Sequence, residues 1–336
     1  MNQHWLAIGF CISAAFAALM GFAIQRGATC TVAAVDEIIT KRRATRLAAI
    51  IEASVWVVAG LLIARALGAA SFMPDGYAVG TATLAGGALL GFGAYVNRAC
   101  VFGAIARLGS GEWAYAVTPV GFFVGCATVG LFPIARPDPA LHMSLTLQAP
   151  SLIAALAVAF IAIRSACTLI VARRLRAQRG TSGETSAWSP HTATTVIGIA
   201  FVVILLISGA WAYTDVLAEL AHGMASSLPA RIGLLVALLA GAIIGGVSAG
   251  RWRNTRVSLD AIARCFTGGL LMGWGSVLIP GSNDGLVLVG MPLLLPHAWV
   301  AFATMCCVIA ASMIVVRALG SSVNAQANVP NSSVAK

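Results

Sequence analysis

Charge is what this chain lacks most: only 10% of its 336 residues are Asp, Glu, Lys or Arg, while 59% are hydrophobic. Soluble globular domains carry roughly 25% charged and about 45–50% apolar residues. With a mean hydropathy of +0.91, a soluble fold is excluded and a polytopic membrane protein is indicated. The eight cysteines (11, 30, 100, 126, 167, 265, 306 and 307) include no CxxC pair and no His-rich partner motif. A disulfide framework and a zinc site are therefore not expected, nor is a cofactor. No basic n-region precedes the first apolar run, since only Asn2, Gln3 and His4 follow Met1, and no small-residue cleavage site ends it. That segment is expected to be retained as a span rather than removed as a signal.

Nine apolar segments can be read as spans of about twenty residues, the length that crosses a ~30 Å hydrocarbon core: 5–24, 47–67, 79–95, 114–132, 151–171, 195–213, 232–249, 265–278 and 299–316. The eighth is short and glycine-rich and reads as a broken or re-entrant helix. The fold class is thus all-α, with about nine transmembrane helices. The formal net charge of +10 sits in basic clusters at Lys41-Arg42-Arg43, 173–176, Arg251, Arg253 and Arg256. With the N-terminus outside, all of these are cytoplasmic and the loops with Asp75, Asp138, Asp215 and Glu219 are external, which is the positive-inside arrangement. The C-terminus is then cytoplasmic. Residues 1–320 read as one transmembrane domain whose two halves are divided by a polar, linker-like stretch at 173–194. Residues 321–336 read as a polar, disordered tail.

The most informative feature is a repeat. GFAIQRGATC at 21–30 is echoed by GFGAYVNRAC at 91–100, and more weakly by GWGSVLIPGS at 273–282, with serine in place of cysteine. Polar groups recurring at span ends point to a site. Short helix-compatible pieces follow each copy, at 31–40, 101–108 and 285–295. Such half-helices direct their free N–H groups and positive dipole ends at whatever lies between them, a known way to build a substrate site near the midplane. In the first copy Arg26 and Gln25 supply donors for an oxyanion; the alternative is that Arg26 caps its helix and snorkels to the headgroups. Cys30 and Cys100 gain weight by occupying matched positions, whereas Cys11, Cys126, Cys167, Cys306 and Cys307 lie in plain apolar runs. Asn97 and Arg98 precede Cys100. In the third copy Ser282, Asn283 and Asp284 form a helix start in which Ser282 or Asn283 could be only an N-cap. The glycines at 268, 269, 273 and 275 permit close helix packing or access to a ligand.

These motifs, GFAIQRGATC, NRACVFGAIARLGSG and GGLLMGWGSVLIPGSNDGLVL, resemble those of the YeeE/YedE membrane proteins, which take up thiosulfate and related sulfur compounds. The resemblance extends over the membrane portion. It implies an inner-membrane transporter rather than an enzyme, with an internally repeated helical fold indented from both sides. Cys30 and Cys100 would be relay cysteines that pass thiosulfate along by S–H hydrogen bonds, and a small soluble sulfur carrier of the TusA type would be a cytoplasmic partner. One departure stands out, because the family's thiosulfate transporters carry a third cysteine where this chain has Ser282 after Gly281. The rival readings are a thiol-redox component, which wants a low-pKa thiol with a resolving cysteine or base, and a subunit that docks a soluble sulfurtransferase.

Overall fold

The computed structural model describes residues 3–66, 68, 76–131, 139–140, 150–178, 188–223 and 228–327. Apolar runs in lipid must satisfy their backbone N–H and C=O groups internally, and they do so here as helices. The helices are α1 (Gln3–Gly27), α2 (Thr31–Lys41), α3 (Thr45–Ala66), α4 (Thr81–Asn97), α5 (Val101–Leu108) and α6 (Val117–Thr128). There follow α7 (Pro150–Gln178), α8 (Pro190–Ser208), α9 (Tyr213–Ala221), α10 (Leu228–Ser248), α11 (Leu259–Leu278), the short α12 (Asn283–Gly285) and α13 (Pro296–Ala327). Gly76–Tyr77 and Pro139–Ala140 pair as a two-residue antiparallel ladder.

Among the described residues eight helical stretches are long and apolar enough to cross a membrane. The remaining expected span, 151–171, falls in α7, whose apolar part Ser151–Cys167 is shorter. There Arg164 donates from Nε to Glu52 of α3 at 2.7 Å, and His191 of α8 meets the same carboxylate at 2.5 Å. A charge at membrane depth is tolerable when it is paired in this way.

Three boundaries differ from the sequence reading. The eighth segment is a whole helix, since Ser258 accepts from the Ala261 N–H as an N-cap and starts α11 before the apolar run begins; its break comes only after Leu278. Helix extends into the polar stretch from both sides, to Gln178 and from Pro190, and residues 179–187 lie outside the described residues. The last helix continues past Ser321 to Ala327, and residues 328–336 are likewise outside. So are Asp75 and Asp138, on which part of the loop reading rested.

The glycines of α11 serve helix packing on two sides. A Cβ on Gly268 or Gly275 would meet the Gly93 or Gly86 carbonyl of α4, at 2.7 and 2.6 Å. On Gly269 or Gly273 it would meet the Thr118 or Phe122 carbonyl of α6, at 2.3 Å in both cases. Helix α11 is thereby wedged between α4 and α6, as small-residue interfaces allow. Large apolar side chains such as Leu156, Val158, Ile244 and Val247 point outward, where lipid tails accept them as readily as a core would.

Candidate functional site

Four long helices break, three of them in the same way. In α1 the chain enters the left-handed region at Ala28, with Ala28 N–H donating to Gln25 O and Thr29 N–H to Ile24 O, a Schellman closure. Seventy residues on, Arg98 is left-handed and the bonds run from Arg98 to Tyr95 and from Ala99 to Ala94. After α11 the corresponding bond is Gly281 N–H to Ser276 O. The next residue in each case, Cys30, Cys100 or Ser282, is extended and starts a short helix, accepting from the N–H four residues on. None of the three side chains caps its helix. Ser282 thus stands at the backbone position of the two cysteines, as the N-cap residue of α12 without a side-chain capping bond.

The fourth break was missed from sequence. Ala212 is the extended N-cap of α9 and lies seventy residues before Ser282, as Cys30 lies seventy before Cys100. The polar motif is gone from this copy, and only the spacing remained to reveal it.

The starts of the four short helices bind one another. Thr31 N–H of α2 donates to Cys100 Sγ at 3.2 Å, and Asn283 Nδ2 donates to Thr31 Oγ1 at 3.4 Å. Tyr213 Oη of α9 donates to the Val101 carbonyl at 2.9 Å, and Thr214 Oγ1 donates to Asp284 Oδ1 at 2.5 Å. Cys30 and Cys100 are neighbouring free thiols, and Cys30 Sγ lies over Gly103, where a Cβ would meet it at 2.5 Å. Cys100, Ser282, Asn283 and Asp284 are at most 2% exposed. Burying a polar atom without a partner costs about 1–3 kcal/mol, and such atoms concentrate here: Gln25 Oε1, Arg26 Nε, Thr29 Oγ1, Trp211 Nε1, Ser282 Oγ, Asn283 Oδ1 and Asp284 Oδ2. Among the described residues only Arg264 Nε shares that state elsewhere.

A cavity opens on either side of this wall. One, of about 530 Å³, is lined by Gln25, Cys30, Arg46, Arg98, Arg107 and Arg251 together with Asp36 and Glu112. Arg107 pairs with Glu112 at 3.0 Å, whereas Arg98 and Arg251 have no ion pair among the described residues. The other, of about 590 Å³, reaches Ser282 and is lined by Tyr77, Asp215, Glu219, His222, Ser276 and His297. Cys100 lines neither of these two cavities; it is fully buried beside Cys30, where the Thr31 N–H meets its Sγ.

The other sequence candidates take supporting positions. Gln25 is buried and donates from Nε2 to Ser110 Oγ at 3.2 Å. Asn97 donates to the Ala99 carbonyl at 2.8 Å and accepts from Thr118 Oγ1, which holds the turn into Cys100. Arg26 does not line the cavity; its Nη2 reaches the Ser248 carbonyl of α10 and its guanidinium lies 5.3 Å from the centre of the Phe22 ring. In register it matches position 96 rather than Arg98, so the two arginines are not equivalent. It is still helical, in the last turn of α1.

A family model described as Sulphur transport matches residues 26–311, which contain all four breaks. No curated protein matches the chain.

Proposed function

Because the chain belongs to the YeeE/YedE sulfur transport family, and its membrane-crossing helices fit transport of a sulfur compound, we propose that its cargo is thiosulfate or a related sulfur oxyanion. One observation carries this reading: four short helices begin at a single wall that holds two thiols and a serine hydroxyl, with a cavity on each side. An anion at that wall is drawn by N-terminal partial charges and free backbone N–H groups. It is handed from Ser282 to Cys100 and Cys30, whose S–H groups are soft, weak donors suited to a terminal sulfur. The unpaired guanidinium groups of Arg98 and Arg251 then favour its arrival in the basic cavity.

Arg46, Arg98, Arg107 and Arg251 all lie at that one cavity, which supports assigning it to the cytoplasmic face of the inner membrane by the positive-inside rule. The N-terminus is then outside and the C-terminus inside. A TusA-type sulfur carrier would meet the same arginine-rich rim. The adjacency of Cys30 and Cys100 also favours a second reading, a dithiol that processes the sulfur compound covalently. Uptake of labelled thiosulfate by proteoliposomes holding only this protein separates the two. Unchanged thiosulfate accumulating inside is expected, and chemically altered product inside would establish the second reading.

A further inference from the structure

The cavity that leads to Ser282 has the wrong sign for an anion entrance. Asp215 and Glu219 line it, and Asp284 lies two residues beyond Ser282. Thr214 and Asp215 of α9 face Asp284 and Gly285 of α12: Thr214 Oγ1 donates to Asp284 Oδ1, and a Cβ on Gly285 would stand 3.7 Å from Asp215 Oδ1. Neither aspartate has an ion pair among the described residues. Arg231 of α10 is a cation whose charge acts on Asp215, and its guanidinium is bonded to Glu219. The other titratable groups facing the pair are His222 and His297 across the cavity, Tyr213 beside Thr214, Cys100 behind the wall and Cys126 of α6. His222 Nδ1 is engaged with the Ala218 carbonyl, and His297 Nδ1 accepts from Tyr77 N–H.

Asp215 and Asp284 stand at adjoining helix starts in a poorly solvated place, where each charge opposes the other and burial opposes both, so the pair favours holding a proton. An independent sign of a ligand lies beside them. Ser282 is fully buried at the end of the cavity, and its Oγ, like Asp284 Oδ2, has no partner in hydrogen-bonding geometry. A proton on Asp284 Oδ2 adds a second donor beside the Ser282 hydroxyl and removes the charge that repels an approaching anion.

We propose that Asp215 and Asp284 form a proton-binding site at the outer cavity, and that the anion passes Ser282 only while that site holds a proton. The proposal rests on the transport path described above. The proton comes from the outer cavity, which Asp215 lines, so external acidity opens the entrance.

The test uses the full-length protein in proteoliposomes with the internal pH clamped and labelled thiosulfate outside. Wild-type uptake is expected to fall roughly tenfold for each unit of external alkalinisation above the midpoint of the pair, the slope of one bound proton. Asp284→Asn, a neutral isostere of the protonated acid, is expected to give the same rate at mildly acidic and mildly alkaline pH. Asp215→Asn removes the neighbouring repulsion, so its profile is expected to move to lower pH. Infrared spectra of the purified protein at neutral pH supply a readout that needs no transport: a protonated-carboxyl stretch present in the wild type and lost in Asp284→Asn. Flat wild-type uptake, a wild-type profile in Asp284→Asn, or an infrared band untouched by that substitution would each overturn the proposal. Absence of any thiosulfate uptake would overturn the assigned cargo instead, and the infrared band would still decide whether the proton site exists.

Discussion

At the scale of residues, matched backbone geometry separates the side chains that form the wall from those that resemble them in sequence. Cys30, Cys100 and Ser282 share one conformation and one register, so each should carry part of the load. A hydrogen bond to a charged partner is worth about 1.5–3 kcal/mol, so Cys30→Ala and Cys100→Ala should each cut thiosulfate uptake by roughly ten- to a hundredfold. Cys167→Ala, on an exposed position of α7, should leave it unchanged. Equal tolerance at all three positions would sink the relay. Ser282→Ala should lose uptake, and Ser282→Cys should keep it with preference moved toward species bearing a terminal sulfur, as measured by competition between thiosulfate and sulfate. A smaller change tests placement. Gly103→Ala puts a methyl where Cys30 Sγ lies, and it should reduce uptake while Cys30 still reacts with a thiol reagent.

At the scale of elements, the broken helices depend on the straight ones that clamp them. Helix α11 presents its end at Ser282 only because Gly268, Gly269, Gly273 and Gly275 let it lie against both α4 and α6. Overpacking such a contact costs about 1–3 kcal/mol. Gly269→Ala should therefore lower the unfolding temperature in detergent by several degrees, whereas Gly80→Ala, with nothing within 4 Å of the added atom, should leave it in place. An unchanged transition in Gly269→Ala would mean that α6 can yield. The glycine ladder was legible in the sequence, but its use was not, because spacing alone does not distinguish a helix neighbour from a ligand.

At the scale of the whole molecule, the arginines at one cavity and the carboxylates at the other set a polarity from one face to the other. If the arginine face is cytoplasmic, an impermeant thiol reagent added to intact cells should label His222→Cys. It should reach Arg43→Cys only after lysis. The reverse pattern would invert the assigned orientation and with it the direction of uptake.

Composition and the repeated motif were enough, by themselves, to establish a helical membrane protein and to single out Cys30, Cys100 and Ser282 as candidates, because burying polar groups in apolar spans is costly and their recurrence is therefore informative. They did not distinguish Arg26 from Arg98. Both precede a cysteine, but only the backbone break shows that one is still helical and turned toward α10 while the other has left the helix beside the cavity. Nor could they expose the fourth break, since Ala212 carries no polar atom on its side chain to mark it. The meeting of Thr214 and Asp215 with Asp284, some seventy residues apart in sequence, was decided by the tertiary structure alone. Hydrogen bonds and charge repulsion act over a few ångströms, and only the packing of α9 against α12 brings these groups within that range.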